Sequence, residues 1–178
     1  MTKYLILLTF SLLICGCDNQ NPKSKFEVQN LKSKFEKITF QTTWCLGNCP
    51  SYHLEIDKNK KIKLYAQVYK ASVLKTPMGL DFSKLDLTKT GYFIGTLNEP
   101  VFDQLINKLE TIGLETIEFD GSDCCDGSVI TIIVYYDGKR KFLKSMDPPH
   151  KADNLISILK EICRTSILER SNEKFNNK

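Results

Sequence analysis

The stretch SYHLEIDKNKKIKLYAQVY, residues 51–69, decides the architecture. Tyr52, Leu54 and Ile56 alternate with His53, Glu55 and Asp57. After the polar turn from Asp57 to Lys61 the rhythm returns with Ile62, Leu64, Ala66 and Val68. A strict period of two places alternate side chains on opposite faces of a strand. The two runs therefore predict an antiparallel hairpin with one buried face. Lys58, Lys60, Lys61 and Lys63 cluster at its turn and read as a solvated tip.

Upstream, ITFQTT at 38–43 alternates with Ile38 and Phe40 on one face and predicts a preceding strand. Downstream, residues 70–90 carry Pro77, Gly79 and mixed charge without a period. They read as a long surface loop, the kind of segment where binding residues gather. GYFIGTL at 91–97 predicts a fourth strand. Asn98 then offers an N-cap, with Pro100 in the first turn where a missing N–H costs nothing. Val101, Phe102, Leu105, Ile106, Leu109 and Ile112 keep the helical period, and Gly113 stands where a left-handed cap residue belongs. The spacing predicts a helix over 99–112.

SVITIIVYY at 128–136 is apolar on both faces and reads as a central strand. Asp137-Gly138 is a strong hairpin signal, and the charged KRKFLKSM at 139–146 suits a returning strand near a sheet edge. After Pro148-Pro149, Leu155, Ile156, Ile158, Leu159, Ile162 and Cys163 share one side of a second helix predicted over 151–168. The resulting order, β-β-β-β-α-β-β-α, implies an α+β fold: a mainly antiparallel sheet with two amphipathic helices packed on one face. Residues 38–169 form this single domain, and 170–178 a polar tail.

The first residues address compartment. Lys3 precedes a short apolar run, Tyr4 to Ile14, which ends in Cys15-Gly16-Cys17. A spanning helix needs about 20 apolar residues, and here Asp18-Asn19-Gln20-Asn21-Pro22 breaks the run at once. The layout is that of a secretory signal. With a cysteine directly after Gly16 it resembles a bacterial lipoprotein signal, which implies cleavage after residue 16 and lipidation of Cys17. Residues 17–37 then form the lipidated N-terminus and a polar tether, in which KSKFE occurs at 23–27 and 32–36. Acyl chains give a bilayer anchor, since each buried methylene contributes about 0.8 kcal/mol and stable anchoring takes more than one chain. Loss of Lys3 leaves 24 basic against 21 acidic residues, scattered rather than striped, so a nucleic-acid partner is not expected.

Of seven cysteines, Cys15 leaves with the signal and Cys17 is lipidated, leaving Cys45, Cys49, Cys124, Cys125 and Cys163. Outside the cytosol disulfides are the default, and an odd count leaves one thiol over. Cys163 falls on the apolar side of its helix and reads as a buried free thiol. Cys45 and Cys49 have three readings. A disulfide between them closes a five-residue loop worth about 2 kcal/mol by chain entropy. Pairing with Cys124 or Cys125 instead closes about 80 residues for roughly 4.5 kcal/mol. A metal site using Cys124, Cys125 and His53 lacks knuckle spacing and asks adjacent cysteines to face one ion. Redox catalysis lacks the C-x-x-C pair at a helix N-terminus.

The segment Trp44-Cys45-Leu46-Gly47-Asn48-Cys49-Pro50-Ser51-Tyr52, with its flanking strands, resembles a bacterial family, domain of unknown function 6438. Its members read T-P-C-F-G-x-C-P-x-Y between their first two strands. Cys45, Gly47, Cys49, Pro50 and Tyr52 match, whereas Trp44 and Leu46 replace proline and phenylalanine. The resemblance runs more weakly over 38–165 and implies the fold and domain limits, but no activity. Because that motif carries two cysteines by itself, it favours the local Cys45–Cys49 pair.

Other chemistry is sparse. Asp120, Asp123 and Asp126 around Cys124-Cys125 do not follow the EF-hand spacing and read as a turn. His53 and His150 read as surface residues, and Trp44 and Tyr52 as core in preference to the lining of a groove. Neither a G-x-S-x-G elbow nor a Gly-rich phosphate loop occurs in the sequence. The expectation is a lipid-anchored envelope protein facing periplasm or exterior, with a non-catalytic domain that binds an envelope protein or small ligand, or scaffolds. It carries no assigned catalytic residue, metal or cofactor. The alternative is a thiol- or metal-dependent envelope enzyme centred on Cys45 and Cys49. Loops 70–90 and 120–127 are the places to seek a ligand.

Overall fold

The protein is described by a computed structural model over residues 31–45, 49–70, 85–121 and 127–174. Its strands are β1 (Phe35–Thr42), β2 (Ser51–Asp57), β3 (Lys61–Gln67), β4 (Gly91–Thr96), β5 (Ile130–Tyr136), β6 (Lys139–Ser145) and β7 (Glu169–Ser171). Helix α1 (Glu99–Thr111) follows β4. A 3₁₀ turn (His150–Ala152) leads into α2 (Asp153–Ile162). All seven strands form one antiparallel sheet in the order β6-β5-β1-β2-β3-β4-β7. The α+β class read from the sequence holds.

Local chemistry explains the elements. The alternation of 51–69 becomes the β2–β3 register, with Leu54 opposite Leu64 and Ile56 opposite Ile62. Asp57 closes the turn by accepting from the N–H groups of Asn59 and Lys61, while Lys60 takes the left-handed conformation. Asn98 caps α1 by accepting from the N–H of Val101 at 3.0 Å. Asp137 and Gly138, both at positive φ, make the tight β5–β6 turn.

Inward residues of the strands pack with Phe102, Leu105 and Leu109 of α1 and Leu155, Ile158 and Leu159 of α2 in one core. Burying such an aliphatic side chain fully contributes about 2 kcal/mol.

The structure corrects the element order in several places. A seventh strand follows α2, so the order ends β-α-β rather than β-α. The last helix ends at Ile162 instead of 168. Ile167 and Leu168, inside the predicted helix, instead bring the chain back against β4. β5 lies next to the edge strand β6, away from the centre of the sheet. Its outward Thr131, Ile133 and Tyr135 are half-buried by lateral neighbours, as where the Lys37 ammonium sits 5.1 Å over the Tyr135 ring. β1 begins at Phe35, inside the stretch read as tether, because Phe35 packs edge-on against Phe102 at 5.6 Å. Residues 31–34 just before it are helical.

Candidate functional site

The connection from β1 to β2 is clasped at its base. Thr42 Oγ1 accepts from the N–H of Tyr52 at 3.0 Å and donates to the Pro50 carbonyl at 3.1 Å. Ser51 Oγ donates to the Thr42 carbonyl at 2.9 Å. Thr43 is tied to the start of β5, its N–H donating to the Val129 carbonyl and its hydroxyl accepting from the N–H of Val129. Above this clasp a disulfide joins Cys45 to Cys49, with Cα atoms 5.5 Å apart. Between the pairings left open by the residues, the local one is present. Trp44, read as core, is instead 49% exposed, two residues beyond the last β1 pair.

Pro50 and Tyr52 leave that loop to wall a cleft of about 530 Å³. Its floor is the inward side of β3 and β4, with Leu64, Ala66 and Phe93, and its far wall is Cys163, Arg164, Thr165 and Leu168. Val68, Thr88 and Lys89 complete the rim.

The room has a cause in the sequence. On β4, Phe93 alternates with Gly91 and Gly95, so two of three positions on that side carry no side chain. A β-carbon on Gly95 would lie 3.1 Å from the Ile167 carbonyl oxygen. One on Gly91, whose φ is +136°, would lie 2.7 Å from an Arg170 nitrogen. The glycines admit the returning segment, and Arg170 fastens it. Its guanidinium donates to the carbonyls of Leu87, Thr88 and Thr90 and stacks 5.2 Å over the Phe93 ring.

The electrostatics are asymmetric. Arg164 Nε donates to the Tyr52 hydroxyl at 3.4 Å, and Arg164 has no carboxylate partner among the described residues. Among the described residues Lys89 has only the loose pair with Asp86 at 3.5 Å. Asp86 is held below the usual carboxylate range chiefly by the Thr88 hydroxyl. Burial pushes the Cys163 thiol up to about 12, so it is neutral at ordinary pH and a poor nucleophile. Apolar walls with two cations at the mouth suit binding of an apolar body that carries negative charge.

The remaining candidates are dispersed. His53 is half-buried against Glu55 and Gln41, on the sheet side away from the core. Glu55 is held low, first of all by His53. His150 is fully exposed beside Asp153. Asp120 accepts from the buried hydroxyl of Ser145 at 3.1 Å, a structural use. Cys17, Asp123, Cys124, Cys125 and Asp126 lie outside the described residues, as do 71–84 of the long loop. Among the described residues, no three His, Cys, Asp or Glu side chains gather where an ion could be held. Sequence reasoning missed Phe93, Arg164 and Leu168. The alternation of glycine with Phe93 in GYFIGT was the available signal.

No curated protein matches the chain. A family profile described as Domain of unknown function (DUF6438) matches residues 36–165, the span from β1 through Arg164 and Thr165 at the cleft wall. Leu168 and β7 fall outside that match, whereas the disulfide, Pro50 and Tyr52 fall within it. The chain belongs to this family, DUF6438.

Proposed function

We propose that the protein is a bacterial envelope lipoprotein whose domain binds or scaffolds without catalysis. Residues 1–16 act as signal peptide, acylated Cys17 holds the bilayer, and the tether carries the domain outside the cytosol. In this reading α1 and α2 back one face of the sheet and leave its β3–β4 end to the cleft. The observation that carries the non-catalytic part is the Cys45–Cys49 disulfide. It occupies both thiols on which a cysteine nucleophile or a thiolate metal site at that motif would depend, and it braces the loop from which Pro50 and Tyr52 enter the cleft wall. Attachment is assigned to Cys17 because the apolar run Tyr4 to Ile14 is shorter than the about 20 residues a span needs and ends at Cys15-Gly16-Cys17.

The test is growth with radiolabelled palmitate, with and without globomycin, for the full chain and for Cys17→Ala. The reading expects label in the wild type, accumulation of a larger precursor with globomycin, and no label in the variant. An unlabelled, unprocessed wild type overturns it. The same preparation, alkylated without reductant, expects no modification at Cys45 or Cys49, whereas two reactive thiols there would favour the enzyme.

A further inference from the structure

We infer that the cleft beside the disulfide binds a single-chain amphiphile with an anionic head, such as a long-chain carboxylate. The inference rests on reading the domain as a binding module. Three independent features of the site converge on this ligand class. The first is size: about 530 Å³ falls in the range of pockets that enclose a small ligand. The second is the lining: Pro50, Leu64, Ala66, Val68, Phe93 and Leu168 give the cleft an apolar majority, fit for a methylene chain. The third is charge. Lys89 and Arg164 stand at the same cleft. Arg164, lacking a carboxylate of its own among the described residues, has guanidinium N–H groups beyond the one given to Tyr52.

A planar guanidinium matches a carboxylate or phosphate with two parallel hydrogen bonds. An uncharged chain would leave the Arg164 guanidinium unused, and a cationic head would be repelled by it, since Lys89 is already shared with Asp86. Tyr52, buried at its ring and polar at its tip, joins the apolar floor to the charged mouth. Thr165 adds a hydroxyl on the far wall, while the Thr88 hydroxyl donates to Asp86.

The only tryptophan, Trp44, supplies a readout, because the disulfide loop connects it to Pro50 at the cleft. The full chain in phosphatidylcholine nanodiscs is titrated with 11-(dansylamino)undecanoate. Energy transfer from Trp44 is read against empty nanodiscs. The expected result is saturable transfer that dodecanoate or dodecyl phosphate displaces and that dodecanol or dodecyltrimethylammonium does not. Arg164→Gln, on an exposed side chain that does not disturb the core, should raise the Kd about tenfold. Unsaturable transfer, displacement by dodecanol as good as by dodecanoate, or an unchanged Kd in Arg164→Gln each overturns the inference. Chemical conversion of the probe, or alkylation of Cys45 and Cys49 without reductant, overturns instead the non-catalytic reading beneath it. Absent binding with the disulfide intact removes only this ligand class.

Discussion

Gly95 and Leu168 approach so closely that a β-carbon on Gly95 would stand 3.1 Å from Leu168 Cδ2. This contact docks the segment after α2 onto β4 and fixes one wall of the cleft. The obstacle on the other side is the Ile167 backbone carbonyl, which has little freedom to retreat. Gly95→Ala should therefore cost about 1 kcal/mol and Gly95→Val about 2–3 kcal/mol, the range for overpacked sites. Chemical denaturation reads both. Equal stability of the valine variant would contradict this packing.

Arg170 is the clamp on the same segment, since it donates to three carbonyls of the 87–90 turn and covers Phe93. Arg170→Ala should speed hydrogen exchange of the β4 and β7 amides, whose ladder has only three pairs. Exchange in β1, β2 and β5 should stay as it was, because stability is local at a sheet edge. Uniform acceleration throughout the sheet would contradict a local clamp.

Cys163 provides a pH signature. Burial lifts its thiol from 9.0 to about 12, so the folded state disfavours the thiolate that the unfolded chain forms freely. The group is protonated in both states below pH 9. Its stability contribution is thus intact there and is lost as pH rises from 9 toward 12. Iodoacetamide should leave Cys163 unmodified in the native protein at pH 8 and modify it once the protein unfolds. Cys163→Ser should cost about 1–3 kcal/mol through a buried hydroxyl, and fast native labelling would contradict the burial.

Glu99 gives the acid-side counterpart. Lys32 and Lys60 both donate to its carboxylate, and Lys32 also pairs with Asp103, linking residues 31–34 to the first turn of α1. The two ammonium groups, Lys32 foremost, hold the Glu99 carboxyl down from 4.5 to about 2. Its contribution is present above pH 4.5 and is lost as pH falls toward 2. Thermal melts of Glu99→Gln should show a flatter dependence across that window, with the difference shrinking at high salt. A profile parallel to wild type would contradict the cluster.

Much of the fold was legible because local chemistry specified it. The alternation of Tyr52, Leu54 and Ile56, the Asn98 cap, Gly113 at positive φ and the Asp137-Gly138 turn all act within a few residues. Sheet order was not legible in that way. The apolar outward side of β5 had suggested a central strand, yet Ile133 and Tyr135 are shielded by neighbouring side chains near an edge.

Glu169-Arg170-Ser171 carries no alternation at all, and it becomes a strand only because β4 offers an edge and Arg170 a clamp. The cleft escaped notice for the same reason. Gly91 and Gly95 acquire meaning only beside the segment that packs on them, and Arg164 meets Tyr52 across 112 residues of sequence.

The most direct measurement is the intact mass of the protein isolated from its native envelope and alkylated without reductant. Lipid anchoring of an oxidised domain requires a chain beginning at Cys17, heavier by its acyl groups, with no alkyl label on Cys45 or Cys49. A chain beginning at Met1 without acyl mass, labelled at both of those cysteines, would contradict it.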